Sequence, residues 1–158
     1  MNTPHSSPFR HLLVAVDGSQ AALQALDTAA ELAHAFHSRL SLVSVYRHFS
    51  YTNRRYTQLR VGPIEAASPV ELSLKSLAEE ALLQAQTRLT QRGLRADCHL
   101  RRGTPATVIL ELADQLSVDA IVLGSHAEGD RLFGSLADRV SAQAHCSCIR
   151  VRGVGSGI

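Results

Sequence analysis

The stretch Gly124-Ser-His-Ala-Glu-Gly-Asp-Arg-Leu-Phe-Gly-Ser135 holds three glycines and two serines. Glycine reaches φ > 0 and admits close backbone approach, so successive N–H groups here can converge on an anion. A helix starting near Gly134-Ser135 adds unpaired N–H groups and the positive end of its dipole, with the Ser135 hydroxyl as a further donor. That is the chemistry of a phosphate cradle. The same composition also makes an ordinary strand-to-helix connection with a serine cap, and composition alone leaves both readings open. No G-x-x-x-x-G-K-[ST] run occurs, which excludes P-loop hydrolysis machinery. A second candidate is Asp17-Gly18-Ser19, where Asp17 reads equally as a ligand contact and as a turn and cap residue. Ser19, His34, His126 and Asp17 form a hydrolytic set only on paper, because His34 falls inside a helical pattern and no serine follows a G-x-S-x-G elbow. His126 reads either as a phosphate donor or as a solvated loop histidine.

The elements that must position these residues follow from hydrophobic period. His11 to Val16 is a continuous apolar run, the mark of a strand buried on both faces. Ser19 then caps a helix over 20–37, with Leu23, Leu26, Ala30 and Ala33 on one stripe. Leu40–Val45 is a second strand. Residues 46–69 show no period and carry Gly62-Pro63 and Ser68-Pro69, so they read as a long loop. Helical period returns over 70–92, with Leu74, Leu77, Ala81, Ala85 and Leu89 predicted on the buried stripe and Gly93 as the stop. Leu94–Leu100 alternates as a less buried strand, with Leu94, Ala96, Cys98 and Leu100 on one side. A helix follows from Thr104 as cap and Pro105 in its first turn to about Leu116. Asp119–Leu123 is a further buried strand, then come a helix over 133–144 and a last strand over 147–151. Right-handed crossovers between such strands dictate an α/β doubly wound parallel sheet with helices on both faces. Ligands of such sheets collect beyond the carboxyl ends of the strands, where strand order reverses. Asp17 and Gly124-Ser125 both lie at such ends.

Composition narrows the class. A chain of 158 residues makes one domain. With 16 Lys+Arg and 14 Asp+Glu the net charge is only +2, and aromatics are 4% with no Trp, so nucleic acid is not an expected partner. Cys98, Cys146 and Cys148 make an odd count, and Cys146 and Cys148 alternate on one strand, which suits a reducing cytoplasm. His145-Cys146-Ser147-Cys148 lacks a C-x-x-C knuckle and a second ligand pair, so no metal site is expected. The polar opening Met1–Arg10 has no apolar core of a signal peptide, and no apolar run approaches a membrane span.

The chain resembles single-domain members of the universal stress protein family. The resemblance is carried by His11-Leu-Leu-Val-Ala-Val-Asp17-Gly-Ser19, Gly103-Thr-Pro-Ala-Thr-Val-Ile-Leu110, Val118-Asp-Ala-Ile-Val-Leu-Gly-Ser-His126 and Gly134-Ser135. It covers residues 10–152, leaving 1–9 and 153–158 as flexible ends. It implies a five-stranded parallel sheet of order 3-2-1-4-5, the adenine nucleotide alpha hydrolase-like fold, and a homodimer. ATP-binding members carry G-x2-G-x9-G-[ST]. Here Gly124 and Gly134-Ser135 match, the middle glycine is replaced by Ala127 with Gly129 nearby, and the loop is three residues shorter. By resemblance Asp17 faces adenine and Val45 contacts it through backbone, while Gly124, Ser125, Gly129, Gly134 and Ser135 hold ribose and phosphates. The reading that follows is a cytoplasmic stress-response module that binds ATP, with magnesium as an accompanying ion, or another adenine nucleotide, and acts through dimer or protein-partner contacts. Its alternatives are a member that binds no nucleotide and works by protein interaction, and a slow ATPase; nothing points to a dedicated enzyme.

Two further features stand out. The run 46–60 places Arg47, His48, Arg54, Arg55 and Arg60 among Tyr46, Tyr51 and Tyr56 with no carboxylate, and reads as a solvated loop, a surface for RNA or an acidic partner, or a lid over nucleotide phosphates. The last strand sets Cys148, Arg150 and Arg152 against Ser147, Ile149 and Val151. Edge arginines read as protection against unwanted pairing, whereas the resemblance implies pairing with a twofold mate.

Overall fold

The computed structural model describes residues 7–48, 68–125 and 136–153. The elements run β1 (His11–Ala15), α1 (Gln20–Phe36), β2 (Arg39–Tyr46), α2 (Pro69–Gln91), β3 (Ala96–Arg102), α3 (Pro105–Leu116), β4 (Ala120–Ser125), α4 (Leu136–Gln143) and β5 (Ser147–Arg152). The sheet is five-stranded and parallel, as the hydrophobic pattern predicts, and of order β3-β2-β1-β4-β5, as the family resemblance implies. Its strand order reverses at β1, which pairs with β2 on one side (Leu12 with Leu40) and with β4 on the other (Leu12 with Ala120).

Strand alternation divides the core into two. Leu12, Val14, Leu40, Leu42, Ala120 and Val122 face α1 and α2. Leu13, Val43, Ile121 and Leu123 face α3 and α4. Each fully buried Leu or Val contributes on the order of 1.5–3 kcal/mol, so the central strands dominate stability. The α1 face is lined with alanines (Ala21, Ala22, Ala25, Ala29, Ala30 and Ala33 are all buried), which draws that helix close to the sheet. Closeness is greatest at Gly124. A Cβ there would lie 2.4 Å from the Ala21 carbonyl oxygen and 2.9 Å from the Ala22 nitrogen, so only glycine fits.

The helix ends follow sequence chemistry. Ser19 caps α1, its Oγ accepting from the Ala22 N–H at 3.2 Å. Gly93, at φ +74°, ends α2, with the Leu94 N–H returning to the Leu89 carbonyl. Across the α1–α2 contact, Arg88 donates two 2.7 Å hydrogen bonds to Asp27. This pairing holds the Asp27 carboxyl below its ordinary range.

Four expectations need correction. Leu77 is 60% exposed rather than part of the buried stripe of α2, which instead runs through Glu71, Ala78, Ala81, Leu82, Ala85 and Leu89. The predicted stripe followed apolar type; α2 lays Ala78, Ala81, Leu82, Ala85 and Leu89 on the β2–β3 side of the sheet and turns Leu77 outward. β3 begins at Ala96, since Leu94 and Arg95 complete the turn closed by Gly93. Cys98 is exposed, because β3 lies at the sheet edge. Thr104 stands at the cap position of α3, but its side chain makes no capping bond. At the start of the chain, Phe9 packs edge-on against Phe36 at 5.3 Å. No helix among the described residues is long and apolar enough to cross a membrane, and no cluster of metal-ligand side chains is found among them.

Candidate functional site

Where strand order reverses, the carboxyl ends of β1, β2 and β4 surround a cavity of about 140 Å³. Its walls are mainly apolar: Ala15 and Val16 from β1 and its extension, Val43 and Val45 from β2, Leu123 from β4, Ile109 from α3 and Leu136 from α4. Asp17, Ser19 and Gly124 complete the rim. The Val16 N–H donates to the Val43 carbonyl at 2.9 Å, which prolongs the ladder to the cavity floor.

Local chemistry sets this geometry. Gly18, at φ +81°, turns the chain out of β1. Asp17 Oδ1 accepts from the Ser19 N–H at 2.9 Å, so the carboxylate holds the turn while its side chain stays exposed at the rim. Both roles proposed for Asp17 are thus compatible. The first turn of α1 (Ser19, Ala22) and Pro105 at the start of α3 both border the cavity. Two helix N-termini therefore aim their positive ends at one space.

The structure brings Asp17, Val45 and Gly124 together around this cavity. Ser125 is buried beside β5, its carbonyl accepting from the Gly153 N–H at 3.4 Å, and it does not line the cavity. Gly129, Gly134, Ser135 and His126 lie outside the described residues, as does the run 49–67. His34 serves packing: its Nε2 donates to the Arg92 carbonyl at 3.1 Å, joining α1 to the end of α2. Pro105, Ile109 and Leu136 were missed by sequence reasoning, since they read as ordinary helix residues and reach the site only through the crossovers.

Glu71 was missed too. It is the one buried ionisable side chain among the described residues, 4% exposed. Arg102 Nε stands 2.6 Å from its Oε1, and His48 Nδ1 3.0 Å from its Oε2. Arg102 also touches the His48 ring. Burial works to raise the Glu71 carboxyl, but the bonds from His48 and Arg102 outweigh it and hold the group below its ordinary range. This cluster ties the start of α2 to the carboxyl ends of β2 and β3. A sequence signal existed in the Ser68-x-x-Glu71 spacing of a capping box, and Ser68 Oγ does accept from the Glu71 N–H at 3.2 Å.

The fold is shared with known proteins. The family model described as the universal stress protein family matches residues 8–152. Universal stress protein YxiE of Bacillus subtilis is 29% identical over 147 residues, covering 91% of this chain and 99% of that protein. A crystal structure of a universal stress protein family member from Burkholderia pseudomallei superposes with a TM-score of 0.70 at 28% identity, over 92% of this chain and 97% of the other. A universal stress protein in complex with cAMP gives a TM-score of 0.69 at 21% identity, over 92% and 98% of the two chains. The Archaeoglobus fulgidus universal stress protein in complex with dAMP gives 0.61 at 23%, over 90% and 97%. From the opening strand to the last, the chain belongs to the universal stress protein family.

Proposed function

We propose that this chain is a nucleotide-binding module of its family, taking the base of an adenine nucleotide into the cavity between β1, β2 and β4. One observation carries the reading: Asp17, Val45 and Gly124, chosen from sequence, border a single apolar hollow at the strand-order reversal. Likeness to family members solved with cAMP and with dAMP supports it. Pockets for whole drug-sized ligands run to roughly 300–1,000 Å³. A hollow of about 140 Å³ suits one planar ring, with sugar and phosphates outside it. The apolar walls of Val43, Val45 and Leu123 would stack on the ring faces, the Asp17 carboxylate would accept from an exocyclic amine, and the α1 and α3 N-termini would favour the anionic end. Ser125, Gly129, Gly134 and Ser135 enter through the family resemblance alone, as does ATP with magnesium as the ligand. In this reading the module acts by binding, in the cytoplasm, and signals through a homodimer or a protein partner.

Calorimetric titration with ATP, with and without magnesium, and with cAMP and AMP tests this. Saturable binding that weakens in Asp17→Ala supports it. A flat titration at millimolar nucleotide removes it and leaves a family member that works by protein contact, the reading favoured by the three-residue shortfall in the glycine loop. Phosphate release proportional to protein and lost in Asp17→Ala would establish the slow ATPase instead.

A further inference from the structure

We propose that the outer edge of β3 docks an extended, acidic peptide segment of another protein. The inference is independent of the nucleotide reading. β3 is seven residues long and pairs only with β2, so its outer N–H and C=O groups have no strand partner among the described residues. Such an edge accepts an added strand through backbone bonds, with alternate side chains supplying specificity.

Charge identifies the partner. On β2, β3 and the residues next to their ends stand Arg39, Arg47, Arg95, Arg101 and Arg102, against Asp97 and, from the start of α2, Glu71. The excess of three exceeds the +2 of the whole chain, so the rest of the molecule is slightly acidic. Both carboxylates are already engaged: Glu71 is buried against Arg102 and His48, and Asp97 Oδ2 takes two bonds from Arg39, at 2.7 and 3.1 Å. Arg95 and Arg101 remain exposed, with no carboxylate partner among the described residues. The chain's own connection over 49–67 supplies no surplus of negative charge, since it carries Arg54, Arg55 and Arg60 against Glu65. The opposite edge differs, because Arg150 of β5 is bonded to Asp138 of α4.

Geometry sets the spacing. Asp97, His99 and Arg101 alternate onto one face, the one on which α3 and α4 pack over β1 and β4, while Arg95 stands just before the strand beside α2. At the start of β3 an open groove of about 460 Å³ is lined by the donors Arg39, Gln86, Thr90 and Arg95 and by Asp97, whose carboxylate is taken up by Arg39. Extended backbone from Arg95 to Arg101 spans about 20 Å. The edge therefore fits an extended segment with two acidic side chains six positions apart. Aromatic side chains for base stacking are scarce, which favours a peptide over single-stranded nucleic acid.

Fluorescence anisotropy with a labelled eight-residue Thr/Val peptide, Glu at its first and seventh positions, tests this on the full chain. Binding at low salt, loss at about 0.5 M salt, and no binding of the Lys-for-Glu peptide are expected. Arg95→Glu with Arg101→Glu should weaken binding at least about tenfold at an unchanged melting temperature. Backbone N-methylation of the peptide should weaken it comparably. Equal binding by the Lys peptide, or by one with its two Glu residues adjacent, overturns the proposal. So does an oligonucleotide of equal charge that binds more tightly, or sedimentation showing a dimer that the double variant dissociates, since the edge would then serve nucleic acid or a second copy. Absence of peptide binding makes the arginines a guard against strand addition.

Discussion

The two ends of the sheet are built on opposite principles. At the amino end the protein satisfies itself. Asp119 Oδ2 accepts from the His11 N–H at 2.8 Å, the His11 carbonyl accepts from the Asp119 N–H at 2.8 Å, and the His11 ring shares a 2.8 Å bond with the buried Ser41 hydroxyl. The Arg39 N–H closes the seam on the Arg10 carbonyl at 2.7 Å. At the carboxyl end the chain stops short. Ala15, Val45 and Leu123 near the ends of β1, β2 and β4 border an apolar hollow, and among the described residues no side chain caps the first turn of α3. Closure at one end gives stability, and incompleteness at the other leaves room for a ligand.

Changes that fill the carboxyl end test this contrast most severely. Gly124→Ala drives a methyl into the first turn of α1 and should cost about 1–3 kcal/mol, read as a lower urea midpoint; an unchanged midpoint would mean that α1 yields freely. Asp119→Ala strips the charged acceptor from the amino end and should cost about 1–3 kcal/mol while nucleotide affinity stays unchanged in calorimetry. A fall in affinity would show that the two ends are coupled. Asp17→Ala should do the reverse, weakening nucleotide binding about 3- to 10-fold with a smaller effect on melting.

The smallest effect is a pH dependence. Burial, and then the nearby Arg39, hold the His11 imidazole below its ordinary value of 6.5. The unfolded chain therefore binds the proton more readily than the folded one, and stability rises with pH across that interval. The contribution is complete above pH 6.5 and is lost as pH falls through the lower, folded value. Melting temperatures from pH 7 down to 5 should fall less steeply in His11→Gln than in the native chain. Parallel slopes would assign the dependence to other groups.

Much of this was legible in the residues, for definable reasons. β1 and β4 announced themselves as unbroken apolar runs because both their faces are covered. The Ser19 cap and the Gly93 stop were legible because each solves a local backbone problem. Asp17 and Gly124 were found from their place at strand ends, although Gly124 owes its identity at least as much to the backbone of Ala21 as to any ligand. What escaped was tertiary. Leu77 reads like its buried neighbours, and only the way α2 lies across β2 and β3 decides that it faces outward. Glu71 looks like a routine first-turn acid until β3 delivers Arg102 from 31 positions further along the chain.

The placement of β1 also governs how the chain can be assembled. Its second neighbour, β4, joins it across a separation of 108 residues. A nascent chain emerging from the ribosome can pair β1 with β2 early, but one flank of that strand stays bare until β4 has been made. Long-range parallel pairing of this kind is slow, so closure of the β1–β4 seam should limit the rate of folding, and substitutions there should delay refolding more than equal losses of stability at β5.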